Sequence, residues 1–176
     1  MKAKPVYYQF GLRDESDVGL LFAAPDVPHF NPQVRSYIDT WEPLSVILRD
    51  GRPGDIMRCP VGFNVCTTPL RDAIQAALGP DDKVQWLEFK ASFPDGRHES
   101  CWGLYVFEFF EVLDPDKTLW IRDYPRRPVV DSRKAAGHHL FKLTPHSAFF
   151  MVSGEMKRVM DRFDCSAYEF VKREVV

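Results

Sequence analysis

The sequence predicts a single α+β domain in which a mixed, largely antiparallel sheet carries two or three short helices. Short β-prone runs recur along the whole chain, and two stretches near Leu70 and Met156 have apolar residues at helical spacing. Of the 176 residues, 45% are hydrophobic and 14% aromatic, which is enough for one packed core. We expect residues 1–60 to be less regular and residues 61–176 to form the core.

Composition and charge argue against several functional classes. The formal net charge is −2, whereas a nucleic-acid-binding domain normally has a strongly basic face. No apolar run is long enough to span a bilayer. Lys2, Lys4 and Gln9 interrupt the first ten residues, which therefore do not resemble a signal peptide. We expect a cytoplasmic protein with no membrane association and no direct binding of nucleic acid.

The first third of the chain gives mixed signals. Val6–Phe10 is predicted to be a strand, and Val18–Ala24 is compatible with either a strand or a buried helical turn. Asn31 followed by Pro32 is a typical helix start, and the apolar spacing after it predicts a helix to about Thr40. Leu44–Leu48 is predicted to be the next strand.

The middle of the chain has clearer patterns. Phe63–Cys66 is predicted to be a strand, and Pro69–Leu78 a helix that Gly79–Pro80 ends. Two long strands follow, Val84–Phe93 and Cys101–Phe110. The second of these is apolar on both faces, which predicts a position in the centre of a sheet. Leu119–Tyr124 is predicted to be a strand and Pro125–Ala136 a surface loop.

The last third repeats the pattern of the middle. A strand at His139–Leu143 leads to a second at Ser147–Val152, and Ser153 is placed to cap a short amphipathic helix. A closing strand is predicted at Tyr168–Val171. A unit of strand, cap, helix and strand therefore occurs twice, either as two instances of a common motif or through duplication.

No residue pattern indicates catalysis, a metal or a cofactor. His138 and His139 are adjacent, and neighbouring residues of a strand point to opposite faces, so they cannot both bind one metal ion. The four cysteines include no C-x-x-C pair and are expected to be buried free thiols. Neither a glycine-rich phosphate loop nor a G-x-S-x-G motif is present.

Two groups of residues are candidates for contact with a partner. The first combines aromatic and acidic side chains near the predicted N-terminal helix: Tyr37, Trp41 and Glu42. The second is acidic and follows a long strand: Glu108, Glu111 and Asp114. The alternative for both groups is structural, with the aromatic residues in the core and the carboxylates simply solvated.

The C-terminal motifs resemble a known family. His139–Leu143, Val152–Ser153, Met156–Lys157 and Tyr168–Phe170 together resemble the bacterial immunity proteins that are encoded beside polymorphic toxins. The resemblance covers residues 60–171, and Cys165–Ala167 replaces the glycine-containing turn of that family.

This resemblance implies binding without catalysis. The protein would hold a cognate toxin domain, often a nuclease, in an inactive complex in the cytoplasm, and it could form a homodimer. Two alternatives remain open: an interaction domain with another partner, and a hydrolase or nuclease that uses His138 or His139.

Overall fold

The computed structural model describes residues 5–13, 16–23, 36–60, 62–122, 124–143 and 150–176. In these ranges the chain forms fourteen strands and two helices, α1 (Thr68–Ala77) and α2 (Gly154–Met160). The strands are β1 (Tyr7–Leu12), β2 (Leu21–Ala23), β3 (Leu44–Leu48), β4 (Ile56–Cys59), β5 (Phe63–Cys66), β6 (Val84–Ser92), β7 (His98–Val106), β8 (Leu119–Ile121), β9 (Tyr124–Arg127), β10 (Val129–Val130), β11 (Leu140–Phe141), β12 (Phe150–Ser153), β13 (Tyr168–Lys172) and β14 (Glu174–Val175).

The strands form two main sheets and two small ones. The six-stranded sheet has the order β2-β3-β6-β7-β5-β4, and the four-stranded sheet has the order β11-β12-β1-β13. The pairs β8–β9 and β10–β14 form two-stranded sheets. Only β3–β6 and β10–β14 pair in parallel among these strands. The fold is therefore α+β and dominated by antiparallel strands, as predicted, but the strands are divided between sheets.

Two units with the same topology build most of the fold. In the first, β5 leads through α1 to β6, and β7 lies between the two strands and antiparallel to both. In the second, β12 leads through α2 to β13, and β1 occupies the equivalent central place. A further antiparallel strand flanks each unit, β4 beside β5 and β11 beside β12. Each unit is thus a split β-α-β motif, and β1 places the N-terminal segment in the centre of a sheet.

The start of each helix is held by equivalent hydrogen bonds. The Thr67 amide donates to the Asp55 carbonyl (2.9 Å), and the Ser153 amide donates to the His139 carbonyl (3.0 Å). The side chains repeat this contact, since the Thr67 hydroxyl donates to the Asp55 carboxylate and the Ser153 hydroxyl bonds to the His139 ring, both at 2.8 Å. Asp55 directly precedes β4, and His139 directly precedes β11. The same arrangement therefore fixes both helix starts.

Hydrogen bonds also join the two units to each other. The Asp55 amide donates to the carbonyl of Asp164, which lies in the turn after α2 (3.0 Å). The His139 amide donates to the carboxylate of Asp82, which lies in the turn after α1 (3.0 Å). Gly79, in that same turn, leaves no room for a side chain, because a Cβ atom there would lie 1.9 Å from the Gly137 carbonyl oxygen. The helices pack on each other between these contacts.

The core is mostly one cluster that includes both helices and both main sheets. Leu70 and Ile74 of α1 and Met156 and Met160 of α2 are buried in it. A smaller cluster joins residues of the four-stranded sheet to residues of the connection between β7 and β11. Its members are Tyr7, Val112, Leu113, Val130, Ala135, Phe141, Leu143 and Met151. Burial of this apolar surface is the main driving force for the fold.

Several local predictions need correction. Residues 36–43 have no helix, so the helix predicted to reach Thr40 is wrong there, and its start at Asn31 lies outside the described residues. The segment Pro125–Ala136, predicted to be a surface loop, contains part of β9 and all of β10, and Val129 and Val130 are buried. The predicted strands at Cys101–Phe110 and His139–Leu143 end earlier, at Val106 and Phe141.

The central position of β7 is confirmed. It lies between β6 and β5 and is buried along its second half, as its two apolar faces predicted. The helix predicted at Pro69–Leu78 is confirmed within one residue at each end, and the Ser153 cap is confirmed by a hydrogen bond from the Met156 amide to its hydroxyl oxygen (3.1 Å). The four cysteines are free and buried, as expected.

Candidate functional site

The structure brings one residue of each predicted partner-binding group close together. The ring of Tyr37 is 58% exposed and meets the ring of Phe107 edge to face, with centroids 5.9 Å apart. Glu108 follows Phe107 directly and is exposed. Tyr37 therefore lies at the start of an acidic stretch, which we call the acidic segment and define as Phe107–Asp116.

Trp41 has a different place. Its indole N–H donates to the Glu88 carbonyl (2.8 Å), and its ring packs on Phe63 and Phe89 at centroid distances of 5.8 and 5.5 Å. The Trp41 side chain therefore covers the six-stranded sheet, and only its outer part reaches solvent. Glu42 is exposed beside it.

The acidic segment contains four carboxylates and no cation. Glu108, Glu111 and Asp116 are exposed, and none of them forms an ion pair with a residue in the described ranges. Asp114 is half-buried, and its carboxylate accepts hydrogen bonds from the Asp116 and Lys117 amides at 3.0 Å each, which shapes the turn. The segment therefore presents a local negative charge that the net charge of the chain does not reveal.

A groove of about 460 Å³ runs beside the acidic segment. Phe109, Glu111, Leu113 and Trp120 line it, and Lys134 and Leu143 complete its wall with Pro115. An apolar groove with a few charged groups at its rim is a common form of binding site for a protein segment or a small molecule. We refer to it below as the groove.

The hairpin formed by β8 and β9 stands next to the groove. Leu119 and Ile121 are each 56% exposed, Trp120 is 42% exposed and Tyr124 is 48% exposed. Such a concentration of large apolar side chains in solvent is unusual on a folded domain and is typical of interaction surfaces. Trp and Tyr are also the residues most often found at the energetic centre of protein interfaces.

The backbone of the hairpin is also unusual. Arg122, at its turn, has a φ of 55°, and no other non-glycine residue in the described part of the chain has a positive φ. The pairing register shifts between Leu119 and Trp120, which leaves Arg126 unpaired as a bulge. A left-handed non-glycine residue costs about 1–2 kcal/mol. Strained residues of this kind are concentrated at functional sites.

A second concavity, of about 610 Å³, contains the two histidines together with Ser153, Glu155, Lys157 and Arg158. We call it the histidine cleft. The His139 Nδ1 atom lies 2.8 Å from the Ser153 hydroxyl oxygen and 3.9 Å from a Glu155 carboxylate oxygen. A serine beside a histidine is the arrangement that activates a nucleophile in many hydrolases. Here, however, the serine hydroxyl already accepts the Met156 amide as the helix cap.

His138 and His139 have separate environments. The His138 ring packs on Phe110 with centroids 4.0 Å apart, and its Nδ1 atom lies 3.3 Å from the Asp82 carboxylate. Neither histidine belongs to a strand, since β11 begins at Leu140, so the strand alternation assumed for this pair does not apply. Both line the histidine cleft, but their Nδ1 atoms have different partners, Asp82 for His138 and Ser153 for His139. Within the described ranges, no group of three His, Cys, Asp or Glu side chains is placed to hold a metal ion.

Burial controls the chemistry of the thiols. It raises the pKa of Cys101 to about 11 and that of Cys165 to about 12, and it also raises the pKa of Cys66. A thiol is nucleophilic only as its thiolate. These cysteines therefore act as small apolar core residues.

Sequence reasoning identified the acidic segment but missed the hairpin. The run Leu119–Tyr124 was predicted to be a strand, and the turn inside it at Arg122 has neither glycine nor asparagine to signal it. Strand alternation could not show that Trp120 would stay exposed, because exposure depends on what packs against the hairpin. The groove depends on Phe109 and Leu143, which are distant in sequence.

Comparison with known proteins gives no assignment. No family model matches the sequence, and no curated protein matches it either. Neither of the two helices in the described ranges has the length and hydrophobicity that a membrane span requires. A function must therefore be argued from the residues of this chain.

Proposed function

We propose that this protein is an immunity protein, which binds and neutralises a cognate bacterial toxin by covering its working site. The observation that carries the proposal is the surface at the groove, where the acidic segment meets the exposed hairpin and Glu111 and Trp120 line the same concavity. It combines aromatic anchors with unpaired carboxylates, as an inhibitor of a basic enzyme requires.

The physical argument concerns the shape and charge of this surface. The hairpin exposes Trp120 and Tyr124, and aromatic side chains of this kind often anchor a protein in the site of its partner. The carboxylates of Glu108 and Glu111 have no ion-pair partner among the described residues, so they are available to orient a basic partner and to speed its association. Toxins that act on nucleic acids bind a polyanion and therefore need such a basic site. The motif resemblance to immunity proteins supports the same function.

The test is rescue of bacterial growth. Each toxin-like open reading frame found beside the gene is expressed with and without this protein, and relief of its lethality is expected for one of them. Glu108→Lys combined with Glu111→Lys should weaken both rescue and binding, because two favourable contacts become repulsive. Glu169→Lys, on the exposed face of β13, is the matched control and should leave rescue intact. The proposal fails if no neighbouring toxin is neutralised. It also fails if Glu169→Lys weakens rescue as much as the variant that carries both Glu108→Lys and Glu111→Lys.

The histidine cleft gives a second candidate, a hydrolase that uses Ser153 and His139. The internal repeat argues for a structural role instead, because Thr67 and Asp55 make the same contact in the first unit. An ester-hydrolysis screen of the purified protein decides between them. Activity that Ser153→Ala and His139→Ala both abolish, without loss of folding, would favour the hydrolase over the immunity protein.

A further inference from the structure

Strand β13 forms one edge of the four-stranded sheet and has no strand on its outer side among the described residues. The other edges of the two main sheets have neighbours. At the edges of the six-stranded sheet, Leu20, just before β2, bridges Arg58 of β4. Just after β11, Lys142 bridges Phe109 of the acidic segment. Strand β6, the counterpart of β13 in the first unit, has β3 on its outer side.

The hydrogen bonds between β13 and β1 show which backbone groups of β13 face outward. The Arg173 amide donates to the Tyr7 carbonyl (2.9 Å). Bonded and non-bonded pairs alternate in an antiparallel ladder, so the residues two and four positions before Arg173 also bond to β1. Phe170 and Lys172 fall between these positions, and their N–H and C=O groups therefore point away from β1. Such a row of free backbone groups is a template for another strand.

This free edge is complementary to itself. In a two-fold dimer the same element of both copies meets at the axis, and two β13 strands can then pair antiparallel. With Val171 of one copy opposite Val171 of the other, Phe170 of each copy lies opposite Lys172 of its partner. These are the residues whose backbone groups face outward, so each such pair can exchange two hydrogen bonds.

The charged side chains agree with this register. The Lys157 ammonium of α2 lies over the Phe170 ring, so Glu169 and Arg173 point to the opposite face of the sheet. The register makes Glu169 of one copy the direct neighbour of Arg173 in the other, and cross-strand pairs of opposite charge are favourable.

Both of these charges lack a partner within one copy. Glu169 is exposed and forms no ion pair in the described part of the chain. Arg173 has no carboxylate partner there either, and its buried Nε atom has no hydrogen-bond acceptor. Burial accordingly lowers the pKa of Arg173 below its usual range. A carboxylate from a second copy would supply the missing negative charge.

We infer that two copies of this chain associate through β13 about a two-fold axis, which joins their four-stranded sheets into one continuous sheet. Val171 lies at the axis, Phe170 and Lys172 exchange backbone hydrogen bonds, and Glu169 of each copy meets Arg173 of the other. This inference does not rest on the proposed function. Strand β13 contributes no residue to the groove, so loss of the dimer should leave the rescue of growth intact.

Amide hydrogen exchange of the wild-type chain at about 20 μM and about 0.5 mM is the first measurement. The amides of Phe170 and Lys172 should exchange about three- to fivefold more slowly in the concentrated sample, because the monomer fraction falls by that factor for a dissociation constant of about 100 μM or below. The amides of Glu169 and Val171 are the internal control, since they bond to β1 in both states and should change less. Sedimentation equilibrium over the same range should show the dimer.

A proline substitution tests the same edge independently. Lys172→Pro removes an outward amide and leaves the bonds to β1 intact, because the Lys172 amide does not take part in them. Each copy then loses one hydrogen bond to its partner, and the dissociation constant should rise about tenfold or more. Lys172→Ala is the matched control, because it keeps the amide, and should change the dissociation constant less than about threefold. Circular dichroism establishes that both variants are folded.

The exchange measurement uses the wild-type chain and does not depend on the folding of a variant. Exchange rates at Phe170 and Lys172 that do not change with concentration would overturn the inference. A dimer that forms without protecting these two amides would place the contact elsewhere on the chain, with the same consequence. Equal weakening of the dimer by Lys172→Ala and Lys172→Pro would also contradict pairing through the backbone of β13.

Discussion

Removal of the Asp82 carboxylate tests how the two units are joined. The side chain of Asp82 is 0% exposed. Its oxygens accept hydrogen bonds from the amides of Gly79 (2.8 Å), His139 (3.0 Å) and Leu140 (3.2 Å). The His138 ring makes a fourth contact. One carboxylate thus joins the turn after α1 to the start of β11.

The expected destabilisation follows from the donors that would lose their acceptor. A buried polar group left without a partner costs about 1–3 kcal/mol. Asp82→Ala leaves three backbone amides without their acceptor, and at the low end of that range the free energy of unfolding should fall by about 3 kcal/mol. For a domain of this size, 1 kcal/mol shifts Tm by about 2–4 °C, so Tm should fall by about 6–12 °C. Asp82→Asn keeps one acceptor oxygen and should lie between the wild type and Asp82→Ala.

Urea unfolding followed by tryptophan fluorescence measures the effect. The midpoint concentration should fall for Asp82→Ala while the slope stays constant, which indicates a change of stability without a change of mechanism. Asp81→Ala is the matched control, because Asp81 is exposed and should change stability by less than about 0.5 kcal/mol. If the two variants unfold at the same urea concentration, Asp82 does not join the units in the way described.

Three further predictions concern the thiols, the pH dependence and the second helix cap. The four buried thiols should not react with a disulfide reagent in the native protein, and all four should react in guanidinium. The reason is burial, which raises the pKa of Cys101 to about 11 and that of Cys165 to about 12. One fast-reacting thiol in the native protein would contradict this. Hydrogen bonds from Arg133 lower the pKa of Asp131 from 3.8 to about 2. The stability that the ionised Asp131 contributes is therefore present above pH 4 and is lost as the pH falls towards 2. Asp131→Asn should flatten that part of the curve of stability against pH. In urea unfolding, the free energy of unfolding of Ser153→Ala should be about 1 kcal/mol lower than that of Ser153→Thr, which keeps a capping oxygen. Equal stability of the two variants would show that the cap does not contribute in this way.

The elements that the sequence predicted well are those whose signal is local. The α1 helix has proline at its start, a regular apolar stripe and Gly79 just after its end, so its limits follow from a few neighbouring residues. The central place of β7 followed from its two apolar faces. Neither inference required knowledge of distant parts of the chain.

The inferences that failed depended on tertiary contacts. Charged and proline residues predicted a loop at Pro125–Ala136, yet Val129 and Val130 pair with the C-terminal β14 and are buried. Their pairing partner lies more than forty residues away, and no local pattern marks it. The sequence could not distinguish exposed Tyr37 from the more buried Trp41 for the same reason, because both lie at helical spacing in one segment and their burial depends on distant contacts. The acidic segment was found because charge is visible in sequence, whereas the groove beside it was not.

The internal repeat separates the parts of the fold that have a structural counterpart from the parts that do not. The two units use their helices and helix starts to pack on each other, and even the contact between Ser153 and His139 has a structural counterpart in Thr67 and Asp55. The connection from β7 to β11 links the first unit to the second, so it is not part of the repeat and has no structural counterpart. It contains the acidic segment, the exposed hairpin and most of the groove lining. Long connections on a rigid scaffold commonly carry binding function. We therefore propose that this connection carries recognition and that the repeated units form the scaffold that presents it.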